Sequence, residues 1–100
     1  MENDPFSVFL SQHPEIADVV PSKKYTDLIA YIKIKTRTIE EMCHAFQLPA
    51  SEIGEMIEFL MKIKVLESLK IRGNVIYKLA PLGEEFLALY NEFRKGYQMD

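Results

Sequence analysis

Apolar side chains recur every three or four positions in four segments of the chain, with polar residues between them. This spacing places the apolar residues along one face of a helix, which a globular protein buries against its core. The pattern predicts helices over residues 22–35, 38–47, 51–64 and 82–95. The chain is therefore expected to be mainly helical.

Three other segments have different patterns. Asp4-Pro5 suits the start of a short helix, because the carboxylate can accept from first-turn N–H groups and proline fits the first helical position. Residues 13–21 are bounded by Pro14 and Pro21 and are expected to form an irregular or one-turn connection. Residues 66–79 place β-branched and aromatic residues around a Gly73-Asn74 turn, which predicts a β-hairpin.

Local signals mark the central helices. Thr38 and Glu41 have the spacing of a capping box, and Pro49 prevents the preceding helix from continuing. Gly54 lies inside the next helical pattern, where glycine costs about 1 kcal/mol of helix propensity relative to alanine. A glycine here permits close approach by a neighbouring helix or by the backbone of a ligand.

The composition indicates one globular domain, since 48% of the 100 residues are hydrophobic. No apolar run reaches the roughly 18 residues that a membrane span requires. The N-terminus lacks the basic start of a secretory signal, and a single cysteine, Cys43, cannot form an internal disulfide. We therefore expect a cytoplasmic protein without a membrane partner.

The net charge of −3 conceals alternating blocks of charge. Residues 21–37 carry a net charge of +4 and residues 69–80 carry +3, whereas residues 38–68 carry −4. A polyanionic partner responds to the local field as well as to the sum. The basic blocks favour contact with nucleic acid, although the acidic total reduces non-specific affinity for DNA.

The order of helices and hairpin resembles the winged helix-turn-helix superfamily over about residues 22–95. Residues 39–49 are similar to the second helix and turn of such domains. Residues 59–66, followed by residues 75–83, are similar to the end of the recognition helix, the wing and the run into the last helix. Small archaeal and bacterial regulators with a C-terminal dimerisation helix are the members that the chain resembles most.

This resemblance implies a mainly α fold with a small β-hairpin, divided into three parts. They are an N-terminal helical extension (residues 1–21), a winged-helix core (residues 22–80) and a C-terminal dimerisation helix (residues 81–100).

By position, the resemblance makes residues 51–64 the recognition helix and the loop at residues 70–76 the wing. It implies that the wing contacts phosphate and that the start of the second helix adds a backbone clamp. The DNA-binding residues that it implies are Lys35, Arg37, Thr38, Ser51, Lys70, Arg72, Asn74 and Lys78. Lys70 and Arg72 are the strongest candidates for phosphate contact.

The chain departs from the superfamily pattern on the recognition helix, where Glu52, Glu55 and Glu58 are predicted to face outward. Each glutamate repels phosphate, although glutamate can accept a hydrogen bond from cytosine N4. These residues either dock a protein partner or form a solvated helix face. Likewise, the basic hairpin either binds phosphate or is a solvated turn whose charge protects an edge strand. The Lys23–Arg37 cluster either flanks DNA or is the solvated face of a helix.

No metal, cofactor or enzyme motif is present. Cys43 and His44 are adjacent on a helix and point in different directions, and His13 is remote, so a zinc site is not expected. Cys43 falls on the apolar helix face and is expected to pack in the core, with redox sensing by an exposed thiol as the alternative. The chain lacks a glycine-rich phosphate loop and a nucleophile elbow, so no cofactor and no catalysis are predicted.

The last helix carries a large apolar stripe that one small domain does not easily cover. We expect it to pair with its twin in a homodimer, with the N-terminal apolar face completing the interface. Packing within one chain is the alternative. The predicted dimer residues are Leu82, Phe86, Leu89, Tyr90 and Phe93.

These observations predict a transcriptional regulator that binds double-stranded DNA, with its wing on the phosphates and residues 51–64 facing the groove. The alternative hypothesis is a winged helix that recognises a protein through the acidic face at residues 51–58. Reversing the charge of that face is expected to raise affinity for DNA under the first hypothesis and to abolish the protein contact under the second.

Overall fold

Six helices and one antiparallel hairpin form residues 4–98, the part of the chain that the computed structural model describes; side chains are described through residue 95. The helices are α1 (Pro5–Gln12), α2 (Pro14–Ala17), α3 (Lys23–Ile34), α4 (Ile39–Phe46), α5 (Ala50–Lys62) and α6 (Pro81–Gln98), and the strands are β1 (Leu66–Ile71) and β2 (Asn74–Leu79). This is the predicted mainly α fold with a small hairpin, a winged helix-turn-helix with additional helices at both ends.

The predicted elements are confirmed, and most of their ends lie within two residues of the predicted positions. The exception is α6, which continues to Gln98. Glycine lowers helix propensity but removes no hydrogen bond, so Gly96 does not end the helix. No helix in the described residues combines the length and apolarity that crossing a membrane requires.

Local hydrogen bonds explain where α1 begins. The Asp4 carboxylate accepts from the backbone N–H of Ser7 at 2.9 Å, and Pro5 occupies the first helical position. That hydrogen bond holds the pKa of Asp4 below its usual value. The predicted N-terminal start is therefore confirmed, and the one-turn α2 confirms the short connection after it.

The core is built from the inner faces of all six helices and the base of the hairpin. Burying each of its larger aliphatic side chains contributes about 1.5–3 kcal/mol. The fully buried side chains are Ile16, Val19, Leu28, Ile29, Met42, Ile53, Leu60, Val65 and Phe86.

Aromatic packing joins the N-terminal extension to the last helix. The ring of Phe6 lies 4.9 Å from that of Phe93 and 6.1 Å from that of Phe86, and Phe9 also contacts Phe86. Phe6, Phe9 and Phe86 are consequently buried within one chain. The structure thus corrects the expectation that these three side chains belong to an intersubunit face, because α1 already covers that part of α6.

The hairpin turn lies one residue earlier than predicted. The loop is Arg72-Gly73, both with positive φ (52° and 82°), while Asn74 pairs with Ile71 as the first residue of β2. Two-residue hairpin loops prefer positive φ because the resulting turn matches strand twist. Glycine therefore takes the second loop position, and asparagine joins the ladder.

An additional backbone bridge extends the sheet. The N–H of Arg37 donates to the carbonyl of Tyr77 at 3.1 Å, and the N–H of Tyr77 donates back at 2.8 Å. The residues immediately before α4 are thereby fixed to the outer edge of β2. Sequence periodicity does not reveal this bridge, because a single paired residue has no repeat.

Two helical glycines have opposite surroundings. A Cβ on Gly83 would overlap the backbone carbonyl of Val65, against which the first turn of α6 packs. A Cβ on Gly54 would have no atom within 4 Å outside its own helix backbone and chain neighbours. The predicted close approach by a neighbouring helix is therefore absent at Gly54, whereas the close neighbour of Gly83 is the Val65 carbonyl, between α5 and β1.

These surroundings predict opposite stability changes for the same substitution. Gly83→Ala should destabilise the fold by about 1–3 kcal/mol, because the new methyl group displaces the Val65 carbonyl. Gly54→Ala should stabilise it by up to about 1 kcal/mol, because helix propensity improves without a clash. Urea unfolding of both variants measures the difference, and a change of the same sign in both would contradict these local packing assignments.

Candidate nucleic-acid interface

The helix-turn-helix begins with a complete capping box. The Thr38 hydroxyl oxygen accepts from the N–H of Glu41 at 3.1 Å, and the Thr38 N–H donates to the Glu41 carboxylate at 2.9 Å. The turn follows from Gln47, whose left-handed φ of 55° ends α4, and from Pro49, which precedes α5. The Thr38 N–H is thus already bonded, and the hydroxyl proton is the Thr38 donor that the capping box does not use.

The outer face of α5 is acidic, but it exposes fewer glutamates than the sequence predicted. Ser51, Glu55 and Glu58 are exposed, opposite the buried stripe that anchors the helix. Glu52 is half-buried and forms an ion pair with Lys24 of α3 at 2.7 Å. This hydrogen bond and the glutamate charge raise the pKa of Lys24. Two of the three predicted outward glutamates therefore remain to act on a partner.

Charge on the wing is concentrated at its tip. Lys70 and Arg72 are exposed there, and Asn74 begins the returning strand. Lys78 lies nearer the base, where its ammonium group is 3.4 Å from the Glu67 carboxylate on the opposite strand. The paired Lys78 offers less charge to a phosphate than the two cations at the tip.

The predicted backbone clamp lies beside the same sheet. Arg37 places its guanidinium carbon 3.8 Å from the centre of the Tyr31 ring, and its Nε donates to the Tyr31 carbonyl at 3.3 Å. The backbone bridge to Tyr77 fixes the main chain at the same point. Lys35 is exposed two residues earlier. The bridge therefore holds Arg37 against the same sheet that carries the wing cations.

Ion pairs occupy all three lysines of α3. Lys23 lies 2.8 Å from Asp27, and Lys33 lies 2.6 Å from Glu84 of α6. With the Lys24–Glu52 pair, these contacts favour a structural surface over a DNA flank for the α3 lysines. Exposed pairs of this kind each contribute roughly 0–1 kcal/mol.

A groove on the outer face of α5 was not predicted. Its walls come from the start of α4, one face of α5 and the middle of β2, so it depends on the tertiary fold rather than on a local motif. Among the residues that line it are Ile39, Gly54, Glu55, Glu58, Met61 and Tyr77. The one sequence signal was Gly54, a glycine within a helical pattern.

Cys43 is half-buried and packs against the core. Among the described residues, no group of three or more His, Cys, Asp or Glu side chains is placed to hold a metal ion.

On α6, the predicted dimer residues divide into two groups. Phe86 is fully buried, as described above, whereas Leu82, Leu89, Tyr90 and Phe93 are half-buried and pack against the edge of the core. These four leave part of their apolar surface accessible.

The similarity of this chain to known proteins lies in its structure. No protein-family model matches the sequence, and no curated protein matches it significantly. The transcriptional regulator HlyU from Vibrio vulnificus CMCP6 has a similar structure, with a TM-score of 0.72 and 15% identity over 97% of this chain and 99% of that chain.

Two further solved structures are similar. A homodimeric winged helix-turn-helix DNA-binding domain from Mycobacterium bovis, a possible ArsR-family transcriptional regulator, has a TM-score of 0.73 and 13% identity, covering 97% of this chain and 90% of that chain. A mutant of S. aureus MepR bound to an oligodeoxyribonucleotide has a TM-score of 0.72 and 10% identity, covering 92% of this chain and 72% of that chain. At such identities the likeness establishes the winged-helix fold.

The capping box should measurably stabilise the helix-turn-helix. Thr38→Ala removes the side-chain acceptor for the Glu41 N–H and should lower the free energy of unfolding by about 1 kcal/mol. Thr36→Ala is the matched control, because Thr36 is exposed and caps no helix. Urea unfolding of both variants tests this assignment, and equal losses in the two would contradict it.

Proposed function

We propose that the protein is a cytoplasmic, non-enzymatic transcriptional regulator that binds double-stranded DNA. The observation that carries this proposal is the placement of three cations, two of them exposed, on one sheet beside a helix-turn-helix. Lys70 and Arg72 lie at the wing tip, and the bridge to Tyr77 holds Arg37 at the opposite edge. Such cations contact phosphates, which supply most of the salt-dependent affinity for DNA.

In this proposal the wing and clamp position the protein, and α5 faces the major groove. Ser51 and Asn74 supply neutral hydrogen-bonding groups, while Lys35 and the hydroxyl of Thr38 add phosphate contacts at the start of α4. Lys78 has a smaller role because Glu67 partly neutralises it. The acidic residues on α5 reduce non-specific affinity, so the wing carries a larger share of the binding than in a basic domain.

The proposed functional unit is a homodimer formed through α6. Leu82, Leu89, Tyr90 and Phe93 retain accessible apolar surface on one helix. A two-fold axis there would present two wings and two α5 helices to successive grooves of the duplex. The structural neighbours support this arrangement, since one is a homodimeric DNA-binding domain and another is bound to an oligodeoxyribonucleotide.

The wing assignment is tested by Arg72→Ala. Loss of one phosphate contact should weaken binding to all duplex sequences about equally and reduce the slope of log affinity against log salt by about 1. Fluorescence anisotropy with a labelled random-sequence duplex measures both quantities. Lys23→Ala is the control, because it removes a cation that is paired with Asp27 on α3. Unchanged binding by Arg72→Ala would show that the wing does not contact DNA.

The dimer assignment is tested on α6. Leu89→Glu places a charge on the half-buried stripe and should shift the protein towards monomer, while Ala88→Glu alters the neighbouring exposed position and should leave association unchanged. Burying an unpaired carboxylate opposes association because the charge loses its water. Sedimentation velocity measures the result, and dimers of equal stability in both variants would contradict the proposed interface.

A further inference from the structure

Gly54 has no structural reason to be glycine. It lies within α5, where the residue costs about 1 kcal/mol of helix propensity relative to alanine. Its φ is not positive, and an added Cβ would have no atom within 4 Å beyond its own helix backbone and chain neighbours. Nothing within the described chain therefore requires the side chain to be absent, so a partner from outside is the remaining candidate for close approach.

The surroundings of Gly54 form a groove with an apolar floor. Ile39, Tyr77 and Met61 line it, and Met61 is 37% exposed. Exposed methionine is typical of surfaces that accept apolar side chains of a partner, because the thioether adapts its shape. The missing Cβ at Gly54 lets a partner backbone approach the axis of α5 along this groove.

The rim of the groove is acidic. Glu55 and Glu58 line it and are exposed, whereas the nearby Glu52 is already paired with Lys24. Lys62 lies one turn further along α5 and borders an adjacent depression with both of these glutamates. Carboxylates that line an apolar groove complement a partner with lysine or arginine beside apolar side chains.

From this combination we infer that the groove binds a basic amphipathic helical segment of a partner protein. Its apolar side chains would occupy the floor beside Met61, its backbone would lie close to Gly54, and its cations would pair with Glu55 and Glu58. This is the helix-in-groove mode of peptide recognition. Because the same face of α5 would approach a DNA groove, such a partner and duplex DNA would exclude each other.

The inference is tested with two labelled peptides. One is a short amphipathic helix of leucine and lysine at helical spacing, and its twin replaces every lysine with glutamate. Fluorescence anisotropy at physiological salt should show binding of the lysine peptide and none of its twin. Gly54→Leu should weaken that binding by about tenfold or more, because the new side chain fills the groove. Its fold is checked by circular dichroism, and Gly54→Ala serves as the smaller variant.

The charge contribution is tested with paired double variants. Glu55→Gln with Glu58→Gln should weaken the lysine peptide by a similar factor, whereas Glu85→Gln with Glu92→Gln should not. The control pair removes the same charge from exposed positions on α6. Equal losses of peptide affinity in the two double variants would show that only the overall charge of the protein matters, and would overturn the inference.

Two other outcomes would also overturn it. The lysine peptide fails to bind the native chain, or Gly54→Leu binds the peptide as tightly as the native chain does. If Gly54→Leu retains the peptide and loses duplex DNA, the glycine serves the contact with a DNA groove. The proposal of DNA binding is judged separately, since Arg72→Ala reports on the wing and does not alter the groove.

Discussion

The backbone carbonyl of Val65 joins three parts of the molecule. Val65 follows α5 and donates its N–H to Leu60 at 2.9 Å, while its carbonyl accepts from Ala80 at the same distance. Gly83 packs directly on this carbonyl. The end of α5, the base of the hairpin and the start of α6 therefore share one contact point. The position of the wing relative to α5 depends on this junction, and so does the direction in which α6 leaves the core.

Most of the architecture follows from patterns within single segments. The apolar stripes, the capping box at Thr38 and the prolines mark the helices, because each signal depends on neighbours three or four residues apart. The missed features depend on distant residues. The Arg37–Tyr77 bridge, the covering of Phe86 by α1 and the pairing of Lys24 with Glu52 join segments that local periodicity cannot relate. The predicted position of the turn was one residue too late because both Arg-Gly and Gly-Asn are compatible with a hairpin turn.

The position of the candidate interface was predictable from the sequence, but the pairing of its charged residues was not. Exposed cations at the hairpin tip follow from Lys70 and Arg72 beside a turn. In the folded structure, Lys78 and the α3 lysines each form an ion pair with an acidic residue, which reduces the positive charge that they offer to a phosphate. The folded structure also removes Glu52 from the acidic face. The remaining surface is a basic wing and clamp beside a helix with two exposed glutamates. It favours contact between phosphates and the wing, whereas the glutamates disfavour the approach of phosphates to α5.

The proposed basic wing and clamp must bind duplex DNA despite the net negative charge of the chain. The fluorescence anisotropy of a labelled random-sequence duplex, titrated with the native protein from low to physiological salt, measures this binding. We expect binding at low salt, with log affinity falling linearly as log salt rises. Absence of binding at low salt, where the phosphate contribution is largest, would contradict this proposal.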